Sequence, residues 1–187
     1  MKFDEQGPVN ARAGAFVAKS QLLSPEDVSR ALTRMAHEIV EHNHDLGSVS
    51  LIGLQTGGEP FVGRLGEILA SIGATPPHLG LLDVSFYRDD LRANPAPLAA
   101  GTNIDHDLSD RVVVLVDDVL FTGRTIRAAL NALTDWGRPR SVQLAVMVDR
   151  GHRELPIRPD YVGKNLPTSR EEAVRATLEG VWIGSRT

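Results

Sequence analysis

From Val112 to Thr125 the chain reads VVVLVDDVLFTGRT. A run of apolar residues leads into two adjacent carboxylates, Asp117 and Asp118, and the turn Thr122-Gly123-Arg124-Thr125 begins four positions later. Two vicinal carboxylates held at a strand end can accept hydrogen bonds from two vicinal hydroxyls, such as those of a ribose. Backbone N–H groups at a helix start, threonine hydroxyls and a glycine that lets a ligand approach closely form an anion cradle. Acid pair and cradle, one turn apart, describe a site for a ribose phosphate. The segment is not a P-loop, because GxxxxGK[ST] is absent. Aspartates near helix starts also serve as ordinary caps. The apolar run, the acid pair and TGRT at this spacing favour the ligand site over that reading.

Such a site needs strands that deliver it and helices that cover them. Val112–Val116 reads as a buried strand, with Thr125–Trp136 as the helix after it, stopped at Gly137 and Pro139. Val49–Leu54, Leu79–Val84 and Val142–Val148 read as further buried strands; Gln143 is the only polar residue of the last. Phe61–Ile72 reads as a helix after the turn Gln55–Pro60. Ser24-Pro25-Glu26-Asp27 is a helix start, with a serine cap, proline at the first helical position and acids in the first turn. Val28, Leu32, Met35 and Ile39 follow at helical spacing, which turns Thr33, Arg34 and His37 to solvent. Strands alternating with helices predict an α/β fold with a central, mainly parallel, twisted sheet flanked by helices. Residues 1–23 show no sustained period and read as an N-terminal extension, leaving 24–187 as a single domain. Arg88–Asp110 is long, aperiodic and rich in Pro, Ala, Asn and Asp, the pattern of a mobile active-site loop. The tail, Ala173–Leu178 and Val181–Ile183, fits a hairpin or a helix plus strand.

Composition narrows the function class. At 187 residues, 42% hydrophobic and 24% charged, the chain is an ordinary globular one. No apolar stretch approaches the about 20 residues of a membrane helix, and MKFDEQGPVN lacks the apolar core of a secretory signal. With no cysteine there is no disulfide and no thiolate chemistry, which together with the missing signal favours a cytoplasmic home. Net charge is −4, yet Arg138–Lys164 carries six basic against three acidic residues, so this segment is +3 and the remainder −7. That asymmetry points to a polyanion site. His42 and His44 are two residues apart at a helix end, where their side chains diverge, so they do not read as a metal pair.

The stretch LVDDVLFTGRT resembles the phosphoribosyl-diphosphate (PRPP) signature of type I phosphoribosyltransferases. The resemblance implies their fold, with a small hood and a mobile loop. It also implies that Asp117 and Asp118 hold the ribose hydroxyls and that Val119, Leu120, Phe121, Thr122, Gly123, Arg124 and Thr125 form the nucleotide loop. In hypoxanthine-guanine members an aspartate before the TG acts at the purine; here that position is Phe121, so the resemblance points away from oxopurines. SFYRDDL (Ser85–Leu91), RALTRMAHEIVE (Arg30–Glu41) and the run from Gly137 to Ser169, with DRGHRELPIR and YVGKN, are more specific. Over roughly residues 24–170 they resemble the PyrR family of pyrimidine operon attenuation regulators.

That resemblance implies a bifunctional protein. One activity is uracil phosphoribosyltransfer, uracil plus PRPP giving UMP and diphosphate, with Mg²⁺ held mainly by substrate oxygens. The other is UMP- or UTP-dependent binding of a pyr messenger leader by homodimers or larger homo-oligomers. A uracil salvage enzyme without RNA binding is the alternative. Carried over by position, the RNA-contacting residues are Thr33, Arg34, His37, His152, Arg153, Arg158 and Lys164; His42 stands where the family often has arginine. The family's diphosphate loop usually reads Thr-Arg-Gly, but here Gln55, Thr56, Gly57 and Gly58 stand there. The guanidinium fork that would grip the diphosphate is missing, and Arg88 of the predicted mobile loop is its candidate replacement. Loss of such a donor predicts weak UMP synthesis; the other reading is a turn glycine in a fully active enzyme.

Overall fold

The computed structural model describes residues 15–55, 57–73, 75–87 and 101–186. At its centre is a five-stranded sheet in the order β3-β2-β4-β5-β6, built from β2 (Val49–Leu54), β3 (His78–Leu82), β4 (Val112–Leu120), β5 (Ser141–Asp149) and β6 (Tyr161–Asn165). Every neighbouring pair is parallel. Parallel strands are covered on both faces, which is why β2 and the first part of β4 are buried at every position, with Ser50 the one polar side chain among them. Alternate residues face opposite layers. Leu51, Val112, Val114 and Val116 pack with α1 (Pro25–Asn43) and α2 (Glu59–Ile72). Ile52, Val113, Leu115 and Val146 pack with α3 (Arg124–Leu133) on the other side.

Helix α1 starts as its sequence predicts. Ser24 Oγ accepts from the Asp27 N–H at 3.2 Å, and the Ser24 N–H donates to Asp27 Oδ2 at 3.0 Å, a reciprocal cap. Val28, Leu32, Met35 and Ile39 are buried, while Thr33, Arg34 and His37 are exposed. The one polar residue of Val142–Val148, Gln143, is also explained. Gln143 Oε1 accepts from the Tyr161 hydroxyl at 2.8 Å, and Gln143 Nε2 donates to Asn43 Oδ1 at 2.9 Å, tying α1, β5 and β6 together. Burial raises the Tyr161 phenol to about 12.

Several boundaries differ from the sequence expectation. Phe16–Leu23, placed in an N-terminal extension, forms β1, which pairs with β8 (Gly180–Arg186); β8 also pairs with β7 (Ala173–Thr177) in an antiparallel three-stranded sheet. All of β1 but its two end residues is exposed, so no buried face imposes a period on its sequence, and its pairing with β8 shifts register at Ala18/Ser20 and Gln21/Leu23. The ambiguous tail is thus a hairpin, and the small sheet is the expected hood. Residues 88–100 of the predicted mobile loop lie outside the described residues, as do residues 1–14. Residues 101–110 fold back along the sheet: Asn103 pairs with Leu81, and Ile104 and Leu108 are buried.

Candidate nucleotide site

Strand β4 runs on through both aspartates, four residues past the end expected from sequence. The site exists because its two neighbours stop at different points. Pairing with β2 ends at Gly53–Val116, whereas pairing with β5 continues to Leu120–Asp149. Asp117 and Asp118 therefore stand on a strand with one open side. Asp117 is buried, at 7% exposure. Its Oδ1 accepts from the Asp118 N–H at 3.0 Å, and Asp118 Oδ1 accepts from the Val119 N–H at 2.7 Å. Burial pushes the Asp118 carboxyl above its ordinary value, against the Val119 N–H, the neighbouring Asp117 and the positive charge of Arg186.

Beyond the acids the chain turns through Gly123, whose φ of 92° is left-handed, into the first turn of α3. A side chain there would also approach Ile157 and Leu155. Residues 119–126 with Asp117 enclose a cavity of about 370 Å³. The N–H groups opening α3 carry partial positive charge, the environment a phosphate takes. The Arg124 N–H donates to Thr122 Oγ1 at 3.4 Å.

Opposite the acids lies the turn after β2. A side-chain carbon on Gly58 would collide with the carbonyl of Val116 and the N–H of Leu54, so only glycine fits at this start of α2. A side-chain carbon on Gly57 would collide with the Asp118 carboxylate. Gln55 Nε2 donates to the Gly101 carbonyl at 2.9 Å, tying this turn to the segment that returns along β3. Thr56 and Arg88 lie outside the described residues.

A second cavity, of about 450 Å³, sits between the acid pair and the hood. Asp118, Phe121, Arg150, Arg170 and Arg186 are among its walls. Arg150 lies 4.1 Å from the Phe121 ring centroid, and its guanidinium is fixed by Thr168 Oγ1 and the carbonyls of Ser169 and Glu172. Sequence reasoning missed these three arginines. Arg150 stands in DRGHRELPIR and Arg170 just beyond the run to Ser169, both far in sequence from the acid pair, and Arg186 is carried to the site on β8 of the hood sheet.

The residues predicted to meet RNA divide into two groups. Thr33, Arg34 and His37 share the outer face of α1, where Arg34 donates to the carbonyls of Val162 and Gly163 at 2.9 Å. This brings β6 and its exposed Lys164 beside the helix face; Arg158 is exposed as well. Arg153 is different. Its Nη2 binds both Asp149 carboxylate oxygens, at 2.7 and 2.6 Å, and its other nitrogens donate to the carbonyls of Ile157 and Phe121. His152 has φ of 60°, and its Nε2 lies against the Thr168 carbonyl. The structure thus turns both of these side chains toward the protein's own loops.

A parallel α/β sheet with an acid pair and anion cradle at one strand end, capped by a hood, defines a phosphoribosyltransferase-type domain. Residues 19–178 match the family model for the phosphoribosyl transferase domain. Solved structures agree in fold: hypoxanthine phosphoribosyltransferase of Trypanosoma cruzi has a TM-score of 0.71 at 19% identity, covering 91% of this chain and 98% of that one. The Staphylococcus aureus enzyme has a TM-score of 0.68 at 19% identity over 91% and 93%.

Within that class the chain belongs to the PyrR family. It is 52% identical to the bifunctional protein PyrR of Roseiflexus sp. (strain RS-1), over 88% of this chain and 91% of that protein. Identity to the Bacillus subtilis (strain 168) bifunctional protein PyrR is 49%, over 87% and 92%. Among the described residues no helix is long and apolar enough to cross a membrane.

Proposed function

We propose that this protein is a bifunctional cytoplasmic regulator of pyrimidine synthesis. In this reading it binds a pyr messenger leader when UMP or UTP occupies the nucleotide site, and it also makes UMP from uracil and PRPP. The observation that carries the reading is the side-by-side placement of Asp117 and Asp118 with the α3 cradle, on the open side of β4. The carboxylates accept hydrogen bonds from the ribose 2′- and 3′-hydroxyls, and the N–H groups of residues 122–125 donate to the 5′-phosphate. The second cavity then receives the base, with Phe121 and Arg150 as its wall.

In the transfer, uracil N1 bonds to C1′ as the bond from C1′ to the diphosphate oxygen breaks, and the N1 proton is released. The chain's share is positioning. The acid pair fixes the sugar and lies beside the positive charge that develops on the ribose ring. Mg²⁺ would be held mainly by PRPP oxygens, with the hard carboxylate oxygens of Asp117 and Asp118 suited to it, and would supply charge that stabilises the departing diphosphate. With Gly57 at the turn, no side chain from that position reaches the leaving group, so turnover is expected to be low.

The RNA arm rests on family membership and on the exposed group Thr33, Arg34, His37, Arg158 and Lys164. A homodimer or larger assembly would set such faces together for a folded RNA loop. The test is a pair of measurements: UMP formation from labelled uracil and PRPP with Mg²⁺, and leader binding with and without UMP. UMP-dependent binding supports the regulator. Turnover with no RNA binding at low salt supports the salvage enzyme instead.

A further inference from the structure

Strands β4 and β5 are parallel and paired to their ends, Leu120 opposite Asp149. The loops that follow them, residues 121–125 and 150–158, therefore leave the sheet side by side. They are also bonded to each other. The Glu154 N–H donates to the Thr122 carbonyl at 3.0 Å, and Arg153 Nη1 donates to the Phe121 carbonyl at 2.7 Å. Ile157 and Leu155 fill the space in front of Gly123. Between the loops, Arg124 Nε and Nη2 lie 2.9 and 2.8 Å from the same oxygen of Glu154. The other oxygen of Glu154 lies 3.9 Å from Arg170, which lines the hood cavity.

Arg124 has two claims on it. It lines the phosphate cavity, and its guanidinium is held by a carboxylate of the neighbouring loop. A 5′-phosphate brings about 1.5 to 2 negative charges and three acceptor oxygens into that cavity, a stronger partner for a guanidinium than one half-exposed carboxylate. We propose that Glu154 is the positioning residue that couples nucleotide occupancy to the 150–158 loop: with the cradle empty it holds Arg124, and with the cradle filled it yields Arg124 to the phosphate and turns to Arg170. The pair then has two discrete arrangements, as coupling between sites requires. This rests on the nucleotide-site reading above and, for its consequence at RNA, on the leader-binding reading.

Both side chains of the pair are partly exposed, at 45% and 34%. An exposed ion pair can carry a coupling of about fivefold in affinity and not much more. The test is calorimetric titration of UMP, with and without a pyr leader hairpin, into wild type and Glu154→Gln. Glutamine keeps the backbone bond to Thr122 and removes the charge that competes for Arg124. The expected result is UMP binding tighter by about fivefold in Glu154→Gln alone, with the response of RNA affinity to UMP reduced by the same factor. Glu154→Asp should lie between. UMP affinity and RNA response both unchanged in Glu154→Gln overturn the proposal. Wild-type protein that binds UMP but no RNA defeats the leader-binding reading, and the Arg124 exchange then stands or falls on the UMP comparison. If wild type does not bind UMP at all, the site reading and this inference fall together.

Discussion

The Asp118 carboxylate occupies the space that a side chain at residue 57 would enter. A carbon built on Gly57 falls closer to Asp118 Cγ and both its oxygens than the 3.0 Å that real contacts keep. Gly57 is thus more than a missing arginine: its bareness lets Asp118 lie where it does.

Gly57→Arg is therefore not expected to restore a diphosphate grip by simple addition, because Asp118 must first move. Gly57→Ala isolates the clash. It should cost about 1–3 kcal/mol, the range for overpacking, and lower the thermal midpoint by several degrees. In an Asp118→Ala background the penalty should shrink by about 0.5–3 kcal/mol. Equal penalties in both backgrounds, read by denaturant unfolding, would show that the two residues do not compete for this space.

The surroundings of Asp118 set an expectation for stability against pH. Burial raises its carboxyl pKa in the folded state, so the folded protein holds this proton more tightly than the unfolded chain. Ionisation then opposes folding above the folded pKa, and the cost is relieved as pH falls below it. Asp118→Asn should raise the thermal midpoint of the ligand-free protein at neutral pH, and less so in acid. The same change should lower kcat/KM for PRPP by about 10²–10³, the scale for losing a preorganised partner of transition-state charge. A midpoint that falls at neutral pH would contradict the cost assigned to the partly desolvated Asp118 carboxylate.

What was legible in the sequence was contiguous. Residues 112–125 carry strand, acids, turn and cradle in one run, and Ser24–Asp27 carries a whole helix cap, so residue types alone fix both. Glu154, Arg170 and Arg186 come to the site through pairing. Glu154 lies 30 positions from Arg124 in sequence, and only the parallel register of β4 and β5 brings their loops together. The acid pair itself was legible as chemistry but not as architecture. Which neighbour of β4 stops first depends on β2, more than 60 residues earlier in the chain, and that difference is what opens one side of Asp117 and Asp118.

At the opposite end of the sheet, Ser50, His106 and Asp105 line up as serine, histidine and aspartate do in hydrolases. Ser50 Oγ is 2.8 Å from His106 Nε2, and His106 Nδ1 is 2.9 Å from Asp105. Ser50 is fully buried and accepts from Arg111 Nε at 2.8 Å, so it serves as a junction and not a nucleophile. The His78 ring lies tilted against His106, with ring centroids 4.6 Å apart and planes 39° from parallel. Burial, then the charge of Arg111, then His106 hold the His78 pKa below its ordinary value. A histidine with a depressed folded pKa leaves its stability intact above the unfolded value of about 6.5 and loses it as pH falls further. The thermal midpoint should therefore drop on acidification from pH 7 toward 5.5, and His78→Gln should flatten that drop. Identical pH profiles for the two proteins would remove His78 from the account.

Arg153 and Lys164 were grouped by charge in the sequence, and the structure separates them by what they touch. Arg153 joins Asp149 to the carbonyls of Phe121 and Ile157, with only 21% of its side chain exposed. Arg153→Ala leaves Asp149 with only the Gly151 N–H as donor among the described residues and removes the guanidinium bonds to the Phe121 and Ile157 carbonyls. The expected loss is about 1.5–3 kcal/mol on the scale of hydrogen bonds to charged groups. Lys164 and Arg158 are exposed, and their alanine variants should unfold like wild type. If these two contact leader phosphates, each substitution should weaken RNA binding and reduce the slope of log affinity against log salt by about 0.7 to 0.9. The discriminating experiment is salt-dependent RNA binding beside denaturant unfolding for the three variants. A stable Arg153→Ala with a reduced salt slope would return Arg153 to the RNA face. An unstable one whose remaining folded fraction keeps the wild-type slope would mark it as the clamp between the phosphate loop and β5.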